Sequence, residues 1–234
     1  MKQTVAFFPG LLCDAALFEH QTKAFEAAGY ETYVADFSAP HHESFEAMIF
    51  DALADLPETF SLAALSMGGY AALKVLELAP HRVERLALMD TNARQDEPAA
   101  AARRRGLLEL AAKGNFKGIT PRLLPLYIHE SRLDDTALAD AVTGMAERLG
   151  PEVFARQQGA ILERRDQRDT LAAFDKPVLV ICGREDQVTP LFLSEEMAGL
   201  APKGELLVIE DCGHLTTMER PDQVTEALLG WMQA

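Results

Sequence analysis

Three side chains have types and surroundings suited to nucleophilic acyl chemistry: Ser66, Asp186 and His214. Ser66 stands in Ala64-Leu65-Ser66-Met67-Gly68-Gly69, between an apolar run and a helical pattern. A serine at such a junction occupies a tight, strained turn that lifts its hydroxyl at the strand end. Small neighbours let the flanking backbones approach; Gly68 and Gly69 supply that on one side and Ala64 on the other, where the usual pattern has glycine. A histidine can take the hydroxyl proton and return it to a leaving group. A carboxylate can orient that imidazole and stabilise its cation while staying ionised. Asp186 lies in Gly183-Arg184-Glu185-Asp186-Gln187-Val188-Thr189-Pro190, after the apolar run Pro177–Cys182. His214 follows Glu210-Asp211-Cys212-Gly213, after the run Glu205–Ile209. Plainer readings exist: an N-cap serine, a loop histidine, and an acid before a helix starting near Pro190. The arrival of all three after strands, in the order Ser, Asp, His, argues against coincidence. Glu185 competes for the acid by position, and Asp90 competes after Val83–Met89. Asp186 is preferred, with Asp90 left open.

The elements that would position these residues follow a regular rhythm. Strands are expected at Thr4–Phe8, Glu31–Ala35, Phe60–Leu65, Val83–Met89, Pro177–Cys182 and Glu205–Ile209. They are short, almost continuous apolar runs rather than alternating ones. Helical patterns lie between them at Asp14–Ala28, Glu43–Leu56 and Met67–Leu78, with a last helix from Pro221 to Trp231. This predicts an α/β fold with a parallel sheet of about six strands, covered by helices on both faces. Ligands of such sheets bind beyond the carboxyl ends of the strands, which is where Ser66, Asp186 and His214 fall. Residues 93–173 break the rhythm. They show no convincing strand and carry helical patterns at Ala99–Ala112, Phe116–Tyr127, Thr136–Arg148 and Pro151–Arg165. The segment reads as a helical cap inserted into a core of residues 1–92 and 174–234.

At this point the sequence resembles the α/β-hydrolase fold family, over nearly its whole length. The resemblance rests on Phe8-Pro9-Gly10-Leu11-Leu12, the turn at Ser66, the stretch from Gly183 to Pro190, and Gly213-His214. It implies Ser66 as nucleophile, His214 as general base and Asp186 as the orienting acid. It also implies an oxyanion hole from the backbone N–H groups of Leu11 and Met67. One such donor is worth about 10²–10³ in rate. Near Leu11 and Ser66 the sequence is similar to small bacterial carboxylesterases, the group that includes pimeloyl-carrier-protein methyl esterase. The implied reaction is cofactor-free hydrolysis of a small-molecule ester or thioester. C–C bond hydrolysis, lyase or perhydrolysis chemistry on the same triad, and a non-catalytic receptor, are the alternatives. A serine at the turn argues against the branches that use an aspartate nucleophile. Two departures from the family stand out. The first loop has Pro9-Gly10 where a His-Gly pair is common, and only three residues precede Thr4 where two further strands are common. The sheet is therefore expected to be reduced to about six strands, nearly all parallel, with Glu31–Ala35 at or near an edge. An exposed edge can pair with another chain, so a homodimer is an expectation.

Composition narrows the partners. The chain has 234 residues, with 22 Lys plus Arg against 36 Asp plus Glu, a net charge of −14. Such a surface repels phosphate backbones and anionic bilayers, so neither nucleic acid nor membrane is expected. No apolar stretch of ~18 residues exists to cross a bilayer. The run Val5–Leu12 is broken by Pro9-Gly10 and reads as a strand, not a leader. Cys13, Cys182 and Cys212 are odd in number and lack CxxC spacing, which points to a reducing cytoplasm. No phosphate-binding glycine loop follows a strand, so no nucleotide cofactor is implied. His41-His42 has no matched acid pattern beside it and reads as a polar loop rather than a metal site. Arg103-Arg104-Arg105 and Arg164-Arg165 could attract an acidic carrier protein, although a solvated helical face is the simpler reading.

Overall fold

The computed structural model describes residues 2–120 and 122–233. Six strands form one sheet: β1 (Thr4–Phe8), β2 (Glu31–Val34), β3 (Phe60–Leu65), β4 (Val83–Met89), β5 (Val178–Gly183) and β6 (Gly204–Ile209). Their order is β2-β1-β3-β4-β5-β6, and every neighbouring pair is parallel. The sheet is thus fully parallel, and β2 is an edge strand as its sequence predicts. The chain runs to one side of β1 and then returns to the other. This reversal lies between β1 and β3, the place where ligands of open parallel sheets bind.

Continuous apolar strands are needed because both faces are covered. Phe8, Leu62, Ala64, Leu86 and Leu88 enter one core cluster, while Phe7, Ala63, Leu65, Ala87 and Met89 enter the other. Successive side chains of a strand point to opposite faces, so each strand feeds both cores in turn. The first face packs against α2 (Phe45–Asp55), α3 (Met67–Leu78), α6 (Arg168–Ala172) and α7 (Leu191–Leu200). The second packs against α1 (Glu19–Ala27) and α9 (Pro221–Gln233).

Between β4 and β5 the chain is helical: α4 (Pro98–Ala112), α5 (Thr136–Glu163) and α6. α5 contains both helices expected there, abutting at Gly150, whose φ of 75° and ψ of −176° break the helical path just before Pro151. The helix expected over Phe116–Tyr127 does not form. That stretch is irregular and ends in one short turn at Leu124–Leu126. Gly118 adopts φ 60°, and Pro125 lacks an N–H to donate, so an α-helix cannot run through. Pro121 lies outside the described residues. α8 (Thr216–Glu219), the short turn after His214, has no counterpart in the sequence expectations. Among the described residues no helix is long and apolar enough to cross a membrane.

Candidate active site

Ser66 follows β3 directly and caps α3 with φ 54° and ψ −116°. This left-handed backbone is costly for a residue with a Cβ, and the surroundings impose it. Ser66 N–H donates to Met89 O at 3.0 Å. Its carbonyl accepts from Gly69 N–H at 2.9 Å and from Thr91 Oγ1 at 2.7 Å. A Cβ on Gly68 would sit 2.0 Å from Phe8 O, so only glycine lets α3 start this close to β1. The first loop, in turn, brings Gly10 against Ser66 Cβ.

The four strands β3 to β6 end side by side, and each delivers one polar residue: Ser66, Asp90, Asp186 and His214. His214 is buried, and its ring spans two partners. Nδ1 lies 2.8 Å from Asp186 Oδ2, and Nε2 lies 2.9 Å from Ser66 Oγ. With Nδ1–H donated to Asp186, Nε2 is left to accept the Ser66 hydroxyl proton. Asp186 is held from its other side. Its Oδ1 accepts the N–H groups of Val188 at 2.8 Å and Thr189 at 2.9 Å, and Oδ2 accepts Thr189 Oγ1 at 2.6 Å. Burial pushes this carboxyl up. The His214 charge and hydrogen bond, with the Thr189 donors, outweigh it and leave Asp186 below the usual carboxylate range. Burial likewise pushes His214 down, but the charge and hydrogen bond of Asp186, helped by Asp90 and Glu219, raise it above the ordinary histidine value.

Asp90 takes a different place. It is fully buried with φ 45°, and it makes no hydrogen bond to the imidazole among the described residues. Its Oδ1 accepts Gly183 N–H at 3.0 Å, and its Oδ2 accepts Thr216 N–H at 3.2 Å and Thr216 Oγ1 at 2.5 Å. Burial and the nearby Asp186 charge drive its carboxyl well above the usual range. Asp90 therefore ties β5 to the turn after His214. Glu185 accepts Cys212 N–H at 3.0 Å and braces the same loop from outside.

The N–H groups of Leu11 and Met67 have no hydrogen-bond partner among the described residues. Leu12, next in the loop, is held at φ 55°. Its N–H donates to Gln157 Oε1 at 2.9 Å, and Gln157 Nε2 donates to Phe37 O at 3.2 Å. Gln157 is buried and comes from α5, so the helical insertion holds the first loop in place. Leu12, Ala146 and Phe154 pack together with Leu11, Phe116, Ile119 and Leu149 beside it. A second tie involves Glu219. Its Oε1 accepts Gly213 N–H at 3.0 Å and Leu215 N–H at 3.2 Å, while Oε2 accepts His129 N–H at 2.7 Å. His214 N–H donates to Tyr127 O at 2.9 Å. The histidine loop is thus clamped between α8 and the irregular segment before α5.

Sequence reading missed Thr189, Gln157 and Glu219. A glutamine within the apolar stripe of α5 and a glutamate in a stretch of buried residues were the available signals. Partners of Gln157 and Glu219 lie up to 145 and 90 positions away, which no local pattern reveals, whereas Thr189 bonds Asp186 three positions before it. Of the arginines singled out, Arg104 and Arg164 both clamp Asp96, at 2.7 Å each, and Arg164 lies 4.1 Å above the Tyr70 ring. They are structural, which leaves Arg103, Arg105 and Arg165 at the surface. A cavity of about 420 Å³ lies between α2, α3 and the end of α5, lined by Phe45, Tyr70, Lys74, Asn92, Arg94 and Arg164 among others. None of Ser66, Asp186 and His214 borders it.

Comparison with known proteins matches this chain to a family. The sequence model described as the alpha/beta hydrolase fold matches residues 3–221. The Mycobacterium tuberculosis protein BpoC, whose name calls it a non-heme bromoperoxidase, is 32% identical over 228 residues, covering 90% of this chain and 86% of its own. The pimeloyl-[acyl-carrier protein] methyl ester esterase of Nitrosomonas europaea is 29% identical over 176 residues, covering 72% of this chain and 69% of its own. Among solved structures, a thermophilic esterase from Thermogutta terrifontis superposes with a TM-score of 0.87 at 27% identity, covering 100% of this chain and 90% of its own.

Proposed function

Because the chain belongs to the α/β-hydrolase fold family, we propose that it is a serine hydrolase acting on a carboxylic ester or thioester. The observation that carries this reading is the continuous line Ser66 Oγ, His214, Asp186, with contacts of 2.9 and 2.8 Å. His214 takes the Ser66 proton as Oγ attacks the acyl carbon. The oxyanion is held by the N–H groups of Leu11 and Met67, which the fold leaves without other partners. His214 then gives its proton to the departing alcohol or thiol, leaving an acyl-Ser66. Water, deprotonated by His214, releases the acid and restores the serine. Asp186 stays ionised throughout and balances the imidazolium. We read residues 93–173 as a cap, with Phe116, Phe154 and Leu149 lining the acyl side.

The two named relatives motivate this choice and one variation on it. A methyl ester esterase would use water on the acyl-enzyme. A protein named as a bromoperoxidase suggests hydrogen peroxide in the place of water, which gives a peracid from the same intermediate. The experiment is hydrolysis of p-nitrophenyl esters from short to long acyl chains, with and without peroxide, by wild type and Ser66→Ala. Ser66→Ala is expected to lose at least about 10³-fold in kcat/KM. Turnover that survives in Ser66→Ala, or no turnover by wild type on any ester or thioester, would remove this reading.

A further inference from the structure

A second group of ionisable side chains converges outside the triad. His41 and His42 lie in the turn after β2, and Asp51 projects from the middle of α2. One donor atom from each lies within 4.8 Å of the others. His41 Nε2 is 2.6 Å and His42 Nε2 is 3.1 Å from the same oxygen, Asp51 Oδ2. We propose that His41, His42 and Asp51 bind one divalent transition-metal ion, with zinc the best match.

The donor set selects the ion class. Imidazole suits zinc, copper and nickel, whereas magnesium and calcium prefer oxygen ligands. Three protein ligands leave a fourth tetrahedral position for water. Zinc bonds of about 2.0–2.1 Å in a tetrahedron separate neighbouring donors by roughly 3.3 Å. The His42 contact of 3.1 Å already lies close to that spacing, and the His41 contact of 2.6 Å must open by roughly 0.7 Å. That movement falls on the side chain that is free to make it. His41 is 63% exposed, while His42 is 3% exposed and packs edge-on to Phe37, with ring centroids 6.5 Å apart. Asp51 is anchored on a helix.

The electrostatics favour a cation. Asp51 Oδ2 faces both imidazoles at once. Among the described residues no lysine or arginine pairs with Asp51. Asp36 and Asp55 lie close by: burial, then Asp55, Asp36 and Asp51, push the Tyr33 hydroxyl up to about 12. The sequence reading of His41-His42 as a bare polar loop lacked an acid partner, and the fold supplies one from α2. A bound ion would pin the turn after β2 to α2. That connection also contains Phe37, whose carbonyl accepts Gln157 Nε2. A further convergence, Asp90 with Cys182 and Asp186, belongs to the triad, because Asp186 is already engaged by His214 and Thr189.

The test is calorimetric titration of the chelator-stripped 234-residue chain with zinc chloride and, separately, magnesium chloride, for wild type, His41→Ala and Asp51→Asn. Wild type is expected to bind one zinc per chain with a Kd on the order of 1 µM near neutral pH. Each variant is expected to bind at least about tenfold more weakly. Zinc at a hundredfold excess over Kd should raise the wild-type melting temperature by about 5 °C, and the variants by much less. Metal-free melts of all three proteins, with His41 being exposed, show whether the variants are folded. Absence of stoichiometric binding by folded wild type, binding that both variants retain at full strength, or magnesium binding as tightly as zinc would each overturn the proposal.

Discussion

At Ser66 the side chain and backbone serve different ends. The backbone is strained into φ 54°, and the hydroxyl thereby reaches His214 rather than capping α3. No side-chain cap bond forms at that helix start, which removes the N-cap reading of this serine. The proton affinity of His214 depends on its neighbours. Burial lowers it, and Asp186 reverses that. A general base must be neutral, so activity on a neutral ester should rise with pH through a midpoint above the ordinary histidine value of about 6.5. Asp186→Asn removes the largest raising cause and leaves burial to act. The midpoint should then fall, and kcat should drop by about 10²–10⁴ because the imidazole loses its tautomer and orientation. The pH dependence of kcat/KM for both proteins measures each effect. A midpoint that does not move in Asp186→Asn would mean Asp186 does not govern the ring. Asp90→Asn gives the contrast, since Asp90 bonds Gly183 and Thr216 rather than the imidazole. Ser66 and His214 were legible in the sequence because Ser66 directly follows an apolar strand and His214 lies in the loop after one. The sequence preferred Asp186 and left Asp90 open, because both follow strands; three-dimensional geometry places Asp186 beside the ring.

Among the elements, α5 connects the insertion to the site. Its Gln157 joins two loops that are far apart in sequence, through buried bonds of 2.9 and 3.2 Å. Gln157→Leu keeps the volume roughly but leaves the Leu12 N–H and the Phe37 carbonyl unsatisfied. Each such buried group costs about 1–3 kcal/mol, so the melting temperature should fall by several degrees. A loosened Leu12 also frees the Leu11 N–H from its position. We therefore expect kcat to fall about tenfold or more, with KM nearly unchanged, because the oxyanion forms only in the transition state. A variant with the same melting change but wild-type kcat would limit Gln157 to a structural role. The inner strands β1, β3, β4 and β5 were readable as apolar runs because both of their faces are largely buried, whereas the edge strands β2 and β6 are partly exposed. The stretch 116–127 misled because its apolar spacing imitates a helix, while Gly118 and Pro125 set a different backbone. Periodicity reports which residues can be buried, and glycine and proline decide what path the chain takes to bury them.

Over the whole molecule, a net charge of −14 surrounds the site. Fields of this size act on approaching charges and are screened by salt within about 10 Å at 0.1 M. A neutral ester should therefore show kcat/KM independent of ionic strength. An ester bearing a distal carboxylate should improve a few-fold as salt rises, because its repulsion is screened. A decrease with salt for the anionic ester would show instead that Arg103, Arg105 and Arg165 attract it locally. The same comparison tests the expectation that these surface cations attract an acidic carrier protein. One more feature reaches beyond catalysis. Ala93, where the insertion of residues 93–173 begins, accepts the N–H of Gln167 near its other end at 2.7 Å. Asp96 fastens the same neck through Arg104 and Arg164. A segment whose ends meet makes almost no demand on the spacing of β4 and β5. Evolution can lengthen, shorten or exchange such a segment while the floor that carries Ser66, Asp186 and His214 keeps its geometry. On the proposed hydrolase reading, descendants of one scaffold change substrate by changing this segment alone.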